Sequence, residues 1–372
     1  MREHIDIMNQ ASVIILIQKD DFKSKAWSQA TKRLKLGDLV PISGSPMYMP
    51  FVLAYYILGR SLPDAIVFRY LNDYPSLFRS VVRTITDLLT VFLAKIADIS
   101  ILWICHNIDK ESSSYYPTLT HMRRSMLKRY SKKIFVMDEL LVNPCINILG
   151  VPEKRIDCLC FGRTDIVDMP EVQEACSTEQ IIDMVRKWKI SLKKAQRAPL
   201  IGLWIGTPSG KSLYGLKILA SIAKQSIKED LSLAFLIIGP IGKWLFQRDA
   251  VVYKDLNANK KILMIDGYIN IPASRWRELC GFIWKPNNDY SITLTAYNSA
   301  TAGLPLVAFK GTFFGDFIIH YHLGVVIKPE NPVVKELMND LRQWKQSYSS
   351  SFLEQKTWDY GAKQLFKAVG KS

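Results

Sequence analysis

The chain has 372 residues, 48% of them hydrophobic and 22% charged. This excludes a disordered or collagenous protein and exceeds what one hydrophobic core usually holds. The net charge of +15 and pI ≈ 9.4 attract anions (nucleic acid, anionic lipid or phosphorylated small molecules) without bearing on the fold.

Taken in chain order, residues 1–9 are interrupted by Arg2, Glu3, His4 and Asp6, so no signal peptide is expected. Residues 12–17 read as a first buried strand. The apolar stretch 47–58 contains Pro50 and is too short to span a bilayer. Residues 64–68, 99–105, 134–137 and 155–160 read as further strands, with helix-length segments between most of them. Continuous apolar runs suit strands buried on both faces of a parallel sheet. Residues 1–165 are therefore expected to form one domain. The polar stretch 166–197, with Glu171, Glu174, Glu179, Lys187 and Lys189, reads as a partly helical linker. A second series follows at 199–205, 231–238, 261–265, 281–284, 304–309 and 324–327, giving a second domain over 198–348. Residues 349–372 read as helical, packing back on the first domain. The expected class is α/β: two Rossmann-like, doubly wound parallel-sheet domains facing a cleft.

The six cysteines form no CxxC pair and have no zinc-finger spacing, so they read as buried thiols of a reducing, cytoplasmic setting. No fixed-period repeat is present.

Ligands of open α/β sheets bind beyond the carboxyl ends of strands, so strand-end loops carry the candidate chemistry. His106 follows the strand at 99–105 and suits proton transfer near neutral pH, with Asp109 and Glu111 as alternative bases. The same histidine also suits a purely structural role, ordering its loop. Gly206-Thr-Pro-Ser-Gly-Lys211-Ser212 misses the Walker spacing by one residue. It remains a strand-to-helix turn with glycines, hydroxyls and Lys211, able to contact an anion at a helix N-terminus. Gly239-Pro-Ile-Gly-Lys243 repeats that chemistry after the next strand. In the third stretch, 287–303, Ser291 and Thr293 open a helix whose N–H groups suit a diphosphate. Each also reads as an ordinary turn or cap. In segment 118–133, Leu119, Met122, Met126 and Tyr130 share a helical face, with Arg124, Lys128 and Lys132 roughly opposite. Such a helix suits an anionic membrane surface, or equally the solvated face of a packed helix.

These features resemble the GT-B class of glycosyltransferases. Gly150-Val-Pro-Glu-Lys-Arg-Ile156 resembles the stretch closing the first domain of the retaining group 1 (family 4-like) enzymes, and Thr301-Ala-Gly-Leu-Pro-Leu-Val-Ala308 their A-x-G-x-P-V-[VI]-A stretch. Trp103-Ile-Cys-His-Asn107 is similar to the W-T-x-H-N strand end of several bacterial polysaccharide glycosyltransferases. The two glutamates that group 1 enzymes space E-x7-E fall here at Tyr290 and Asn298, and their Lys-Gly at Tyr214-Gly215. The resemblance implies a hexosyltransferase with a nucleoside-diphosphate sugar as donor. The donor would be held in the second domain by Gly206, Thr207, Lys211, Gly239, Lys243, Tyr268, Tyr290, Ser291, Thr293 and Asn298. His106 and Asp109 would serve catalysis beside the acceptor. That acceptor is expected to be a saccharide, lipid-linked, in surface polysaccharide synthesis at the inner membrane face. No cofactor is expected, and no metal, since the candidate loops lack an Asp-x-Asp pair. The rivals are a sugar-nucleotide epimerase-like enzyme and a non-enzymatic basic membrane- or nucleic-acid-binding module. The chain shows none of the usual nucleic-acid motifs, so nucleic acid is not an expected partner.

Overall fold

The computed structural model describes residues 12–59, 61–111, 114–165, 176–192, 198–208, 210 and 212–370. The chain divides into two units: unit 1 is Met1–Phe161 with Thr357–Ser372, and unit 2 is Gly162–Lys356.

Unit 1 runs β1 (Ile14–Gln18), α1 (Phe22–Leu34), β2 (Asp38–Ile42), α2 (Met49–Leu58), β3 (Ala65–Phe68), α3 (Leu77–Ile96), β4 (Ser100–Ile104), α4 (Pro117–Tyr130), β5 (Lys133–Val136), α5 (Val142–Leu149) and β6 (Ile156–Cys158). Its six strands are parallel, in the order β2-β1-β3-β4-β5-β6. β3 and the apolar body of β4 are buried throughout, as helices on both faces require. The sequence reading missed β2. Its Pro41 argues against an interior strand, but β2 is an edge strand, where proline costs no needed ladder bond. Asp21 starts α1 through a reciprocal pair: Ser24 N donates to Asp21 Oδ1 at 3.0 Å, and Asp21 N to Ser24 Oγ at 3.0 Å.

α3 turns its polar side inward. Arg83, Thr84, Asp87 and Thr90 are buried, while Phe78, Leu88 and Phe92 are exposed. The polar side is held by buried charge. Arg83 Nε donates to Asp87 Oδ2 at 2.9 Å, and Arg83 Nη2 to the Tyr70 carbonyl at 3.0 Å. From α4, Arg123 pairs with Asp73 and stands 3.9 Å from Asp87. Several cations of the 118–133 segment are thus engaged within unit 1, while Arg129 is exposed. Arg123 is buried, Arg124 Nη1 donates to Glu111 at 2.6 Å, and beyond the helix Lys132 Nζ donates to the Val369 carbonyl at 3.1 Å.

Unit 2 begins with α6 (Thr178–Leu192) and continues β7 (Leu200–Ile205), α7 (Ser212–Lys228), β8 (Leu233–Gly239), α8 (Gly242–Arg248), α9 (Ala250–Asn257), β9 (Ile262–Asp266), α10 (Trp276–Leu279), β10 (Phe282–Trp284), α11 (Leu294–Ala302), β11 (Leu306–Phe309), α12 (Phe313–His320), β12 (Gly324–Ile327), α13 (Val334–Gln343) and α14 (Ser347–Gln355). The sheet order is β12-β11-β10-β7-β8-β9, again parallel throughout. Within the expected linker, the described helix α6 belongs to unit 2. It buries Ile181, Ile182 and Val185, and Trp188 Nε1 donates to the Lys260 carbonyl at 3.2 Å. Residues 166–175 and 193–197 of that linker lie outside the described residues.

The tail read as one helical segment over 349–372 is two helices, parted at Lys356–Thr357. α14 stays with unit 2, where Phe352 packs on Tyr297, Phe317 and Tyr321. α15 (Trp358–Val369) completes unit 1. Trp358 packs edge-on against Phe22 and Trp27, and Thr357 caps the helix by accepting from Tyr360 N at 3.1 Å. The break has a local cause: a threonine cap starts a helix more readily than it continues one.

Candidate functional site

In unit 2 the strand order reverses between β7 and β10, the place where an open parallel sheet takes a ligand. The loops after these strands carry most of the expected donor residues. Gly206 ends β7 with φ +130, and a Cβ added there would meet nothing within 4 Å. Gly239, at the end of β8, has φ +151, and its Cβ would stand 2.1 Å from the Gly206 carbonyl oxygen. Two strand ends therefore lie backbone to backbone, and only glycine fits at Gly239. Thr207 Oγ1 donates to Tyr268 Oη at 3.1 Å, joining the loops after β7 and β9; both residues are exposed. Lys211 lies outside the described residues.

After β10, Ser291 Oγ donates to Asp289 Oδ2 at 3.0 Å. Thr293 takes the N-cap position of α11 without making a capping bond, and its Oγ1 is buried with no hydrogen-bond partner. Tyr290 is half-exposed and leans on Phe313 with ring centroids 5.8 Å apart. Asn298 Oδ1 accepts from Thr164 Oγ1 at 2.5 Å, so part of its hydrogen-bonding capacity serves unit 2 itself. Lys285, at the end of β10, was not foreseen. Burial pushes its ammonium below the ordinary lysine range, and Asp289 pulls it back up. Gly215 brings the start of α7 against this loop: a Cβ there would lie 2.6 Å from Pro286 Cγ, and Trp284 Nε1 donates to the Gly215 carbonyl at 3.2 Å.

The second glycine loop does not repeat the first. Asp266 Oδ1 accepts from Ile241 N at 2.7 Å and from Gly242 N at 2.9 Å. A carboxylate of the chain itself thus occupies the start of α8, where an external phosphate was expected. Lys243 is exposed beside it. Gly239 is a packing residue, and the loop it opens offers no vacant helix N-terminus.

In unit 1 the order reverses between β1 and β3, and a polar cluster stands at these strand ends. Arg69 Nη1 donates to Asp21 Oδ1 at 2.7 Å and Arg69 Nη2 to Tyr70 Oη at 2.9 Å. Gln18 Oε1 accepts from Arg69 N at 3.0 Å. The His106 ring stacks on Tyr70 at 4.7 Å and 16°, with Phe161 6.1 Å away. Lys19 Nζ lies 5.0 Å from the Tyr70 centroid, and Lys23 Nζ 4.6 Å from that of Phe161. Gln18 Nε2, Arg69 Nε and His106 Nε2 are buried without a hydrogen-bond partner. Burial, reinforced by Lys23, Arg69 and Lys19, pushes His106 well below its ordinary range. The ring is neutral near pH 7. A base that weak suits accepting a hydrogen bond better than taking a proton. Asp109 is exposed and makes no part of this cluster. Glu111 is tied to Arg124; burial pushes its carboxyl up while Arg124 pulls it down.

No family model and no curated protein matches the sequence. Solved structures do match over nearly the whole chain. A glycosyltransferase from Rickettsia africae is 12% identical with TM-score 0.64, covering 97% of this chain and 100% of that one. HepE of Anabaena, solved with UDP and glucose, is 9% identical with TM-score 0.62, at the same coverage. The chain has the GT-B fold. A UDP-GlcNAc 2-epimerase from Methanocaldococcus jannaschii, solved with UDP-GlcNAc and UDP, shares it less closely: TM-score 0.51, 13% identity, 95% of this chain and 98% of that one.

Within this GT-B chain the sequence named the unit 2 loops but not Lys285, and in unit 1 it named His106, Asp109 and Glu111, of which His106 alone stands in the strand-end cluster. Arg69 and Tyr70 carried a readable signal, since an arginine directly after a wholly apolar strand marks a strand end. Lys19 and Lys23 carried none, because only the fold brings β1 beside β3. Among the described residues, no group of three or more His, Cys, Asp or Glu is placed to hold a metal. No helix among them is long and apolar enough to cross a membrane.

Proposed function

We propose that the protein is a glycosyltransferase that takes a sugar from a nucleoside-diphosphate donor held by unit 2 and gives it to a saccharide acceptor bound by unit 1. The observation that carries this reading is the content of the β7/β10 strand ends. An open glycine turn, the Thr207–Tyr268 pair, the unpartnered Thr293 hydroxyl and the Lys285 ammonium are gathered where a doubly wound sheet takes its ligand. Negative charge builds on the departing diphosphate, and Lys285 with the N–H groups of α11 meets that need. The exposed rings of Tyr268 and Tyr290 offer faces for a base. In unit 1, the neutral His106 and the free donors of Gln18 and Arg69 orient acceptor hydroxyls. A lipid-linked acceptor in surface polysaccharide synthesis is the finer part of the proposal.

Thermal stabilisation against a panel of nucleotides and nucleotide sugars tests it, beginning with UDP, which HepE binds. A ligand at a hundredfold excess over its dissociation constant adds about 2.7 kcal/mol of stability. A raised midpoint with UDP or another nucleoside diphosphate, its stabilisation cut to about half in Lys285→Ala at the same ligand concentration, is the expected result. No shift with any nucleotide sinks the reading and favours a non-enzymatic module. Conversion of a bound donor with no acceptor present favours the epimerase-like alternative.

A further inference from the structure

The outward side of α3 is apolar: Phe78, Ile85, Leu88, Leu89, Phe92 and Ile96 are 40–76% exposed. A helix packed on a water-soluble domain ordinarily turns that stripe to the core. Here the Arg83–Asp87–Arg123 charges hold the polar stripe inward, which fixes the apolar one outward. α2 packs against α3 and adds Phe51, Tyr55 and Leu58, at 67%, 76% and 83% exposure. Between α3 and α4 the surface sinks into a groove of about 320 Å³, floored by Val91 and Met126 with Lys95 and Tyr130 on its walls. Singly scattered apolar residues are normal on a surface; three adjoining helices exposing them together mark an interaction site.

The charges decide what it meets. Across α2, α3 and α4 the only acidic residue is Asp87, buried in its ion pairs. The exposed charges on these helices, Arg79, Lys95 and Arg129, are all cations. Arg129 lies 5.4 Å from the ring centroid of Tyr130, a cation beside an amphipathic ring. A second copy docked by the same face would set these cations against each other, with no exposed carboxylate on the three helices to answer them. An anionic bilayer answers both features, taking Phe and Leu side chains at its acyl boundary and Lys and Arg at its headgroups.

We propose that the α2–α3–α4 face of unit 1 seats the protein on an anionic lipid surface. The inference is independent of the donor reading, because binding to vesicles is measured with no nucleotide present.

The experiment is co-sedimentation of the full chain with vesicles of phosphatidylcholine alone and of phosphatidylcholine with phosphatidylglycerol. The expected result is binding to the anionic vesicles that weakens with salt. A protein of this net charge adheres weakly to any anionic vesicle, so the deciding variant leaves charge unchanged. Phe78→Gln with Phe92→Gln is expected to lower vesicle affinity about tenfold, with the unfolding midpoint kept, since both side chains are exposed. Lys95→Glu with Arg129→Glu is expected to lower it by a similar factor and flatten the salt dependence. The proposal is overturned if the double glutamine variant binds as well as the parent. It is equally overturned if the parent stays in the supernatant at low salt, or if light scattering shows a dimer that the same variant dissolves while vesicles bind neither.

Discussion

The two units end their strands on opposite kinds of chemistry. At the β1/β3 reversal of unit 1, Asp21, Arg69, Tyr70 and His106 are already bonded or stacked upon one another. At the β7/β10 reversal of unit 2, Gly206 and Thr207 are exposed and the Thr293 hydroxyl has no partner. The unit 1 cluster is largely assembled by the chain's own charges, with Gln18 Nε2 and Arg69 Nε left unpartnered inside it, while the unit 2 loops are open. The same doubly wound architecture permits both, because strand-end loops lie outside the sheet's hydrogen bonding and are free to differ. Substitutions in the polar interior of unit 1 should therefore act on folding, and those at the unit 2 loops on binding.

The sharpest break of that contrast is Asp87→Ala. It leaves Arg83 and Arg123 buried with lost partners and is expected to cost about 3–5 kcal/mol in urea unfolding. A loss below about 1 kcal/mol would mean that α3's buried charges do not hold unit 1 together.

Lys23 comes next. Burial, with Arg69 alongside, pushes its ammonium down from 10.5 to about 7, while Asp21 resists. Between those values the unfolded chain binds the proton and the folded one does not, so stability falls as pH is lowered through that window. Isotope-labelled dimethyl-lysine spectra should show one lysine titrating near neutrality, and Lys23→Met should remove it. An ordinary lysine value for Lys23 would mean that the unit 1 cluster is wetter than drawn.

In unit 2, Lys285→Ala is expected to weaken nucleoside-diphosphate binding about tenfold, roughly 1.4 kcal/mol, with little change in urea midpoint. A large fall in stability instead would make Lys285 a folding residue and erase the difference between the units. The smallest effect is expected of Asp266→Ala, which removes the carboxylate at the start of α8. It should cost about 1 kcal/mol and leave nucleotide affinity unchanged. A gain in nucleotide affinity would show the Gly239 loop to be an anion site that Asp266 merely blocks.

Local pattern alone placed eleven of the twelve strands found among the described residues, because each is a short apolar run bounded by turn residues and buried in a parallel sheet. β2 escaped, since its Pro41 is tolerable only at an edge, and edge position belongs to the sheet and not to the strand. The unit 2 strand-end loops were legible because glycines and hydroxyls at strand ends are local features. What filled them was not. Asp266 occupies the start of α8 from 24 and 25 residues away, and Asn298 is engaged by Thr164 from 134 residues away. The pattern of α4 showed that it is basic but not that Arg123 would be buried against Asp73, 50 residues off.

The sequence by itself thus determined two parallel α/β sheets and the positions of their strand-end loops, because strand burial and turn chemistry act between near neighbours. Tertiary structure alone decided which strands adjoin, which charges are buried together and which helix faces are left outward. Those outcomes depend on long-range pairing, where a partner's desolvation and distance, not its place in the chain, set the free energy.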